Sequence, residues 1–172
     1  MKCNKIITKF QEDLNLEYKN NCTHYTDILD LNFNRAMYSE FQCVTKFPIN
    51  VADTCVMVSS DSYILKDINL DEIENSIKYN YLYTTNFNQY GGIANGFYIT
   101  TPKNLQKICK RLDEFPIFCS NHLNSGLNAE IYLKHIIDKY EITNKDSSML
   151  YLKIRANGKP NHYGDLIKNK LS

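Results

Sequence analysis

Short apolar runs rich in β-branched and aromatic residues alternate along this chain with longer stretches of helical periodicity. That alternation limits the fold more than any other feature. The runs are Thr54–Val58, Tyr79–Thr84, Ile93–Thr100 and Met149–Arg155, lengths that suit strands rather than helices. Among the periodic stretches, Asn32–Phe47 carries Phe33, Met37, Phe41 and Val44 at helical spacing, with Asn32 or Asn34 as its cap and Pro48 as its stop. Asp67–Ser76 has the acidic start that suits a helix N-terminus. Thr101-Pro102 opens a further helix, Thr101 as cap and Pro102 at the first position, running through LQKICKRLDEF to a stop at Pro116. Leu127–Tyr140 is amphipathic, with Leu127, Ile131, Leu133, His135 and Ile136 along it. Strands alternating with helices predict an α/β fold: a single layered domain with a mixed central sheet flanked by helices.

The bulk numbers agree with one domain. The chain has 172 residues, 43% of them hydrophobic, enough for a sizeable core. Its net charge of +1 supplies no electrostatic attraction to nucleic acid or to an anionic membrane. Nowhere do about 18 consecutive apolar residues occur, so no membrane span is expected. Lys, Gln, Glu and Asp interrupt the N-terminus too early for a signal-peptide core. The six cysteines, at 3, 22, 43, 55, 109 and 119, include no C-x-x-C pair, and they read as reduced thiols of a cytoplasmic protein. Thirteen tyrosines stand against no tryptophan. AT-rich coding accounts for that bias, although tyrosine faces also suit contacts to sugars and bases.

Chemistry concentrates where apolar runs end. In VMVSSDSYILKDI, the run that finishes at Val58 gives way to Ser59, Ser60 and Asp61. Ligands of open α/β sheets bind outside the carboxyl ends of the strands, where a carboxylate offers the hard oxygen that Mg²⁺ or Mn²⁺ prefers. The competing role for Asp61 is to cap the turn that follows. Asn95-Gly96 reads either as a hairpin turn or as a bulge that lets backbone approach a ligand. Gln89-Tyr90-Gly91-Gly92 is a loop that either covers a site or joins two strands. Glu130 falls in the first turn of its helix, where a negative charge is favourable in itself. Arg155 follows an apolar strand, placed for a bidentate diphosphate contact or a surface ion pair.

The segments RAMYSEFQCVTKF, TCVMVSSDSYILKDI, GGIANGFYITTPKNLQKIC, LNAEIYLKHIIDKYEI and YLKIRANGKPNHYG follow one another in an order that resembles the GT-A class of nucleotide-sugar glycosyltransferases. The likeness is to small, divergent members found in large DNA viruses and bacteria. It covers roughly residues 33–163, between a polar segment over 1–32 and a tail over 164–172. It implies a partial GT-A-like scaffold that transfers a sugar from a nucleotide-sugar donor to a glycan or small acceptor. Asp61 then matches the surviving carboxylate of the family's metal motif, and His162 a late histidine near metal or diphosphate, with Mn²⁺ or Mg²⁺ as cofactor. Ser60, Asn95, Gly96, Arg155 and Lys159 fall around the donor, and Glu130 at the acceptor as base or hydrogen-bond partner. The second acidic position of the metal motif is Tyr63 here. The first thirty residues lack the apolar strand and polar turn that grip the nucleotide, so the resemblance leads to the expectation of a truncated or split member. The alternative expectation is a non-catalytic binding protein, able to form homo-oligomers, that keeps such a scaffold in the cytoplasm of a host cell or in a virion. A nucleic-acid-associated role is the remote one, since no basic stripe interleaves with the tyrosines.

Overall fold

The computed structural model describes residues 28–121, 128–154 and 158–160, with the side chains of 28–35, 116 and 119–121 outside that description. The chain runs through helix α1 (Ile28–Lys46), a 3₁₀ turn (Ile49–Val51), strands β1 (Cys55–Val58) and β2 (Ser62–Ile64), then helix α2 (Leu70–Tyr79). Strands β3 (Leu82–Thr85) and β4 (Phe97–Thr100) follow, then helices α3 (Pro102–Cys109), α4 (Arg111–Asn121) and α5 (Ala129–Lys139), and strands β5 (Asn144–Ser147) and β6 (Tyr151–Lys153). Four strands form a mixed sheet in the order β1-β4-β3-β5, and β2 pairs antiparallel with β6 in a second, two-stranded sheet. Strand β4 is antiparallel to both neighbours, while β5 is parallel to β3. Strands β1, β3 and β5 therefore point the same way. The result is the single α/β domain with a mixed sheet that the alternating pattern predicts.

Helices cover both faces of the four-stranded sheet. Because strand side chains alternate, Leu82 and Tyr98 face one way, packing with Leu105, Ile108, Leu133 and Ile137 of α3 and α5. Tyr83, Phe97 and Ile99 face the other, packing with Ile73 of α2 and Tyr151 of β6. A third cluster joins the helices to each other through Met37, Leu112, Phe115, Phe118, Tyr132 and Ile136. Both central strands are buried along their whole length, which is why their sequences read as continuous apolar runs.

Several boundaries differ from the sequence reading, each for a local reason. Thr54–Val58 is a half-buried edge strand rather than a fully buried one, with Val56 39% exposed. Tyr79 belongs to α2, because Asn80 takes a left-handed conformation (φ 55°) that ends the helix before the strand begins at Leu82. Helix α2 itself starts at Leu70, not Asp67: Asn69 caps it by accepting a bond from the Asp71 N–H at 3.0 Å. Strand β4 keeps only the last four residues of Ile93–Thr100, and β6 only three of Met149–Arg155. The Thr101-Pro102 start holds, but the helix breaks at Lys110, and α4 continues past Pro116 to Asn121. Leu112, Phe115 and Phe118, packed on α1 and α5 on either side of Pro116, hold α4 together against the roughly 3 kcal/mol that an interior proline costs. On α5 the buried stripe is Tyr132, Leu133, Ile136 and Ile137, with Ile131 and His135 exposed. Strand β5, whose sequence is NKDS, has no apolar signal at all. It exists because its backbone completes the edge of β3 while Lys145 and Asp146 stay in solvent.

One ion pair ties these layers together. Arg111 begins α4 and is 1% exposed; its Nη2 lies 2.6 Å from Oε2 of Glu40 on α1, and both Nη atoms reach the Tyr98 hydroxyl of β4 at 3.4 and 3.5 Å. The Tyr132 hydroxyl of α5 donates to the Arg111 carbonyl. A guanidinium this deep is tolerated only with its carboxylate partner. Glu40→Ala is therefore expected to lower unfolding free energy in urea by about 3–5 kcal/mol, and an apolar pair, Glu40→Leu with Arg111→Met, to recover most of it. Equal losses in the single and double variants would show that the pair does not hold the layers.

Candidate functional site

The shared direction of β1, β3 and β5 puts Val58, Thr85 and Ser147 at one edge of the sheet, beside Phe97 at the start of β4, across from Val58. Residues 59–61, 86–96 and 148–150 leave or enter the sheet there. Ser59 closes the gap between two of these segments, its N–H and hydroxyl both donating to the Gly96 carbonyl at 2.8 and 3.2 Å. Gly96 has φ +105°, and a Cβ on it would lie 2.5 Å from Ser59 Oγ and 3.3 Å from Lys153 Nζ. Only glycine fits both the backbone and the space. Asn95-Gly96 is thus the close approach before β4, not the tip of a tight hairpin.

Asp61 sits in the turn between β1 and β2. Its carbonyl accepts the Ile154 N–H at 2.7 Å, while its side chain is 43% exposed. Among the described residues the carboxylate makes none of the bonds to backbone N–H that a capping aspartate makes. It faces Lys153 instead, with Oδ1 3.8 Å from Nζ. Lys153 stands opposite Ser62 in the β2–β6 pair, so the two side chains leave the same face. Tyr63 leaves the other face, 62% exposed, and the position of a second motif carboxylate therefore points away from Lys153.

Glu130 reaches the same edge from the first turn of α5. Asn128 caps that helix by accepting the Ile131 N–H at 2.7 Å and donates to the Tyr90 carbonyl at 3.0 Å. The Glu130 carbonyl accepts the Ile93 N–H at 3.0 Å, and a Cβ on Gly92 would lie 2.0 Å from that oxygen. The 89–92 loop is thus bound to the start of α5 through a glycine that lets backbone meet backbone. Burial pushes the Glu130 carboxyl up, against the pull of its own N–H, Lys153 and Arg111. Burial likewise raises the Glu40 carboxyl, against Arg111, Lys153 and a bond from Tyr98. The Tyr151 phenol is raised by burial and further by the charges of Asp61 and Glu130, and its hydroxyl donates to the Asn95 carbonyl at 3.4 Å. Asp61, Glu130, Tyr151 and Lys153 thus share one electrostatic neighbourhood, with Glu40 and Arg111 behind it.

Unmade hydrogen bonds gather here too. Buried polar side-chain atoms are nearly always partnered. Among the described residues, the buried atoms without a partner are Ser62 Oγ, Thr85 Oγ1, Asn88 Oδ1, Ser148 Oγ and Arg111 Nε. The first four lie in or next to the segments at this edge of the sheet. Thr85 Oγ1 has the Tyr151 hydroxyl close by but makes no well-aligned bond with it.

Of the residues singled out from sequence, the fold brings Asp61, Asn95, Gly96 and Glu130 to this edge. Ser60 is exposed in the turn beside Asp61. Lys159 is exposed and returns toward the end of β6 through the bridge between Ile154 and Pro160. Arg155 and His162 lie outside the described residues. Lys153 and Tyr151 were not legible from sequence, because both sit inside the apolar run MLYLKIR and only their cross-strand register sets them beside Asp61. No protein-family model matches the chain, nor does any curated protein or solved structure match it significantly. Among the described residues no three His, Cys, Asp or Glu side chains gather closely enough to hold a cation, and Asp61 faces an ammonium. No helix among these residues is long and apolar enough to cross a membrane.

Because burial raises the Glu130 carboxyl in the folded chain, the unfolded chain gives up this proton at lower pH than the folded one. Stability is then fullest below the ordinary glutamate value of 4.5 and falls as pH rises through the folded value. Glu130→Gln is expected to remove that loss. Its thermal midpoint should match the parent's near pH 4 and exceed it at neutral pH, and a gap that does not change with pH would rule this out.

Proposed function

We propose that the chain binds a nucleotide sugar at the carboxyl edge of its mixed sheet and transfers the sugar to a glycan or small acceptor. The observation that carries this reading is the convergence of Asp61, the Asn95-Gly96 approach, Glu130 and Lys153 at one edge with four unpaired buried polar atoms. Such a set provides a cationic group and unmet hydrogen-bonding groups for a polar ligand, a close backbone approach that requires glycine, and a carboxylate with raised proton affinity. In the transfer, Glu130 takes the proton of an acceptor hydroxyl. The hydroxyl oxygen forms its bond to the anomeric carbon as the bond from that carbon to the diphosphate breaks, and the electron pair leaves with the diphosphate. A base whose proton affinity is raised by burial suits this role near neutral pH. The mixed α/β fold agrees with the GT-A-like resemblance and supports the reading.

The second reading, a non-catalytic binding protein on the same scaffold, is favoured by one observation: Tyr63 stands where a second motif carboxylate is expected and is 62% exposed. Isothermal titration with uridine, guanosine and cytidine diphosphate sugars separates the two when joined to a sugar-release assay. Transfer predicts saturable binding of at least one donor. It also predicts turnover that falls about 10²-fold or more in Glu130→Gln with binding retained. Binding without turnover in the parent selects the second reading, and no binding of any donor sinks the transferase.

A further inference from the structure

We infer that Lys153 is the counter-charge for a phosphate-bearing ligand, so that this chain binds a diphosphate without a divalent cation. The inference rests on the nucleotide-sugar reading for the identity of the ligand, but not for the anion site itself. Four observations carry it. The Lys153 side chain is 23% exposed, and its ammonium approaches Asp61 only to 3.8 Å, beyond hydrogen-bond range. Among the described residues it makes no hydrogen bond, which leaves its three donors open to a ligand. The backbone at Gly96 packs close beside it, so that a Cβ there would lie 3.3 Å from its Nζ. Ser62, its cross-strand partner, holds a buried hydroxyl with nothing to bind.

The charges around Lys153 are ordered for exchange. Asp61 pairs with it loosely from the solvent side, while Glu130 and Glu40 act on it from the protein side. An arriving phosphate oxygen can take the ammonium as a charge-assisted partner at about 2.7–2.9 Å, with Ser62 Oγ as a second donor and Asp61 released to solvent. In the unliganded chain Asp61 therefore acts as a placeholder for the anion. This is opposite to its role in a metal site, where it would bind a cation and Lys153 would oppose it. The same residue is expected to respond in opposite directions under the two schemes.

Inorganic pyrophosphate is the probe, titrated calorimetrically into the full chain with EDTA and again with Mg²⁺ or Mn²⁺. Saturable binding is expected in EDTA, weakening as salt rises. Lys153→Met should lose at least about tenfold in affinity, a change of 1.4 kcal/mol, and Lys153→Arg should keep most of it. Asp61→Asn should bind pyrophosphate as tightly as the parent or more so, because the competing carboxylate is gone. Asp61→Asn also guards the test, since it keeps the shape of an exposed side chain should Lys153→Met fail to fold. Binding that requires Mg²⁺ or Mn²⁺, or that Asp61→Asn abolishes, overturns the inference. Lys153-dependent binding of pyrophosphate with no tighter binding of nucleotide diphosphates leaves the anion site standing and removes the nucleotide-sugar reading. Donor binding that depends on a cation and on Asp61 does the reverse.

Discussion

The buried Arg111–Glu40 pair is the constraint around which the rest of the molecule is arranged. Arg111 occupies the point where α3 gives way to α4, and its guanidinium can stay in the interior only because Glu40 on α1 and the Tyr98 hydroxyl on β4 meet it there. Three elements far apart in the chain are held in register by a requirement of charge, where apolar packing alone would tolerate sliding. The pair also reaches the candidate site, since Arg111 contributes to the field at Glu130 and Lys153 to that at Glu40. Interior and site are thus linked electrostatically.

The edge of the sheet achieves its geometry with two glycines and two kinds of backbone contact. Gly92 lets the loop before β4 lie directly on the first turn of α5, which fixes where Glu130 begins. Gly96 lets the Ser59 turn close on the start of β4 and lets Lys153 lie against the same backbone. Glu72, 6% exposed on α2, clamps the third segment by accepting bonds from the Ser147 hydroxyl at 2.5 Å and the Ser148 N–H at 2.6 Å. Each connection around the edge is therefore anchored on a neighbouring element, and the unpaired hydroxyls and amide oxygen between them sit on a braced frame. A site of this kind is preorganised, with little ordering left for a ligand to impose.

The sequence reading of Asp61 as a cap or a cation ligand omitted a third partner, because that partner is ninety-two residues away. Lys153 is one letter in MLYLKIR, a run whose apolar character marks it as a strand and hides the lysine as an interruption. Pairing of Ser62 with Lys153 puts the ammonium beside the aspartate. Sequence spacing does identify Asn95-Gly96 as a special backbone position, but its contact with Ser59 and Lys153 depends on β1 and β4 being neighbours. Glu130 was legible as a first-turn carboxylate from the helical pattern over Leu127–Tyr140. Its burial was not, since that comes from the 89–92 loop folding over the helix start.

By itself the sequence determined the α/β class and the helix start at Thr101-Pro102, because caps, proline placement and side-chain periodicity are local properties. It also determined which short polar stretches interrupt the apolar runs. Tertiary structure alone decided the order of the strands, the polar edge strand β5, the passage of α4 through Pro116 and the pairing of Asp61 with Lys153. Those outcomes depend on backbone hydrogen bonds between distant strands and on packing between layers. Such interactions leave no pattern in neighbouring residues, and a four-residue stretch such as NKDS becomes a strand only when β3 offers it an open edge.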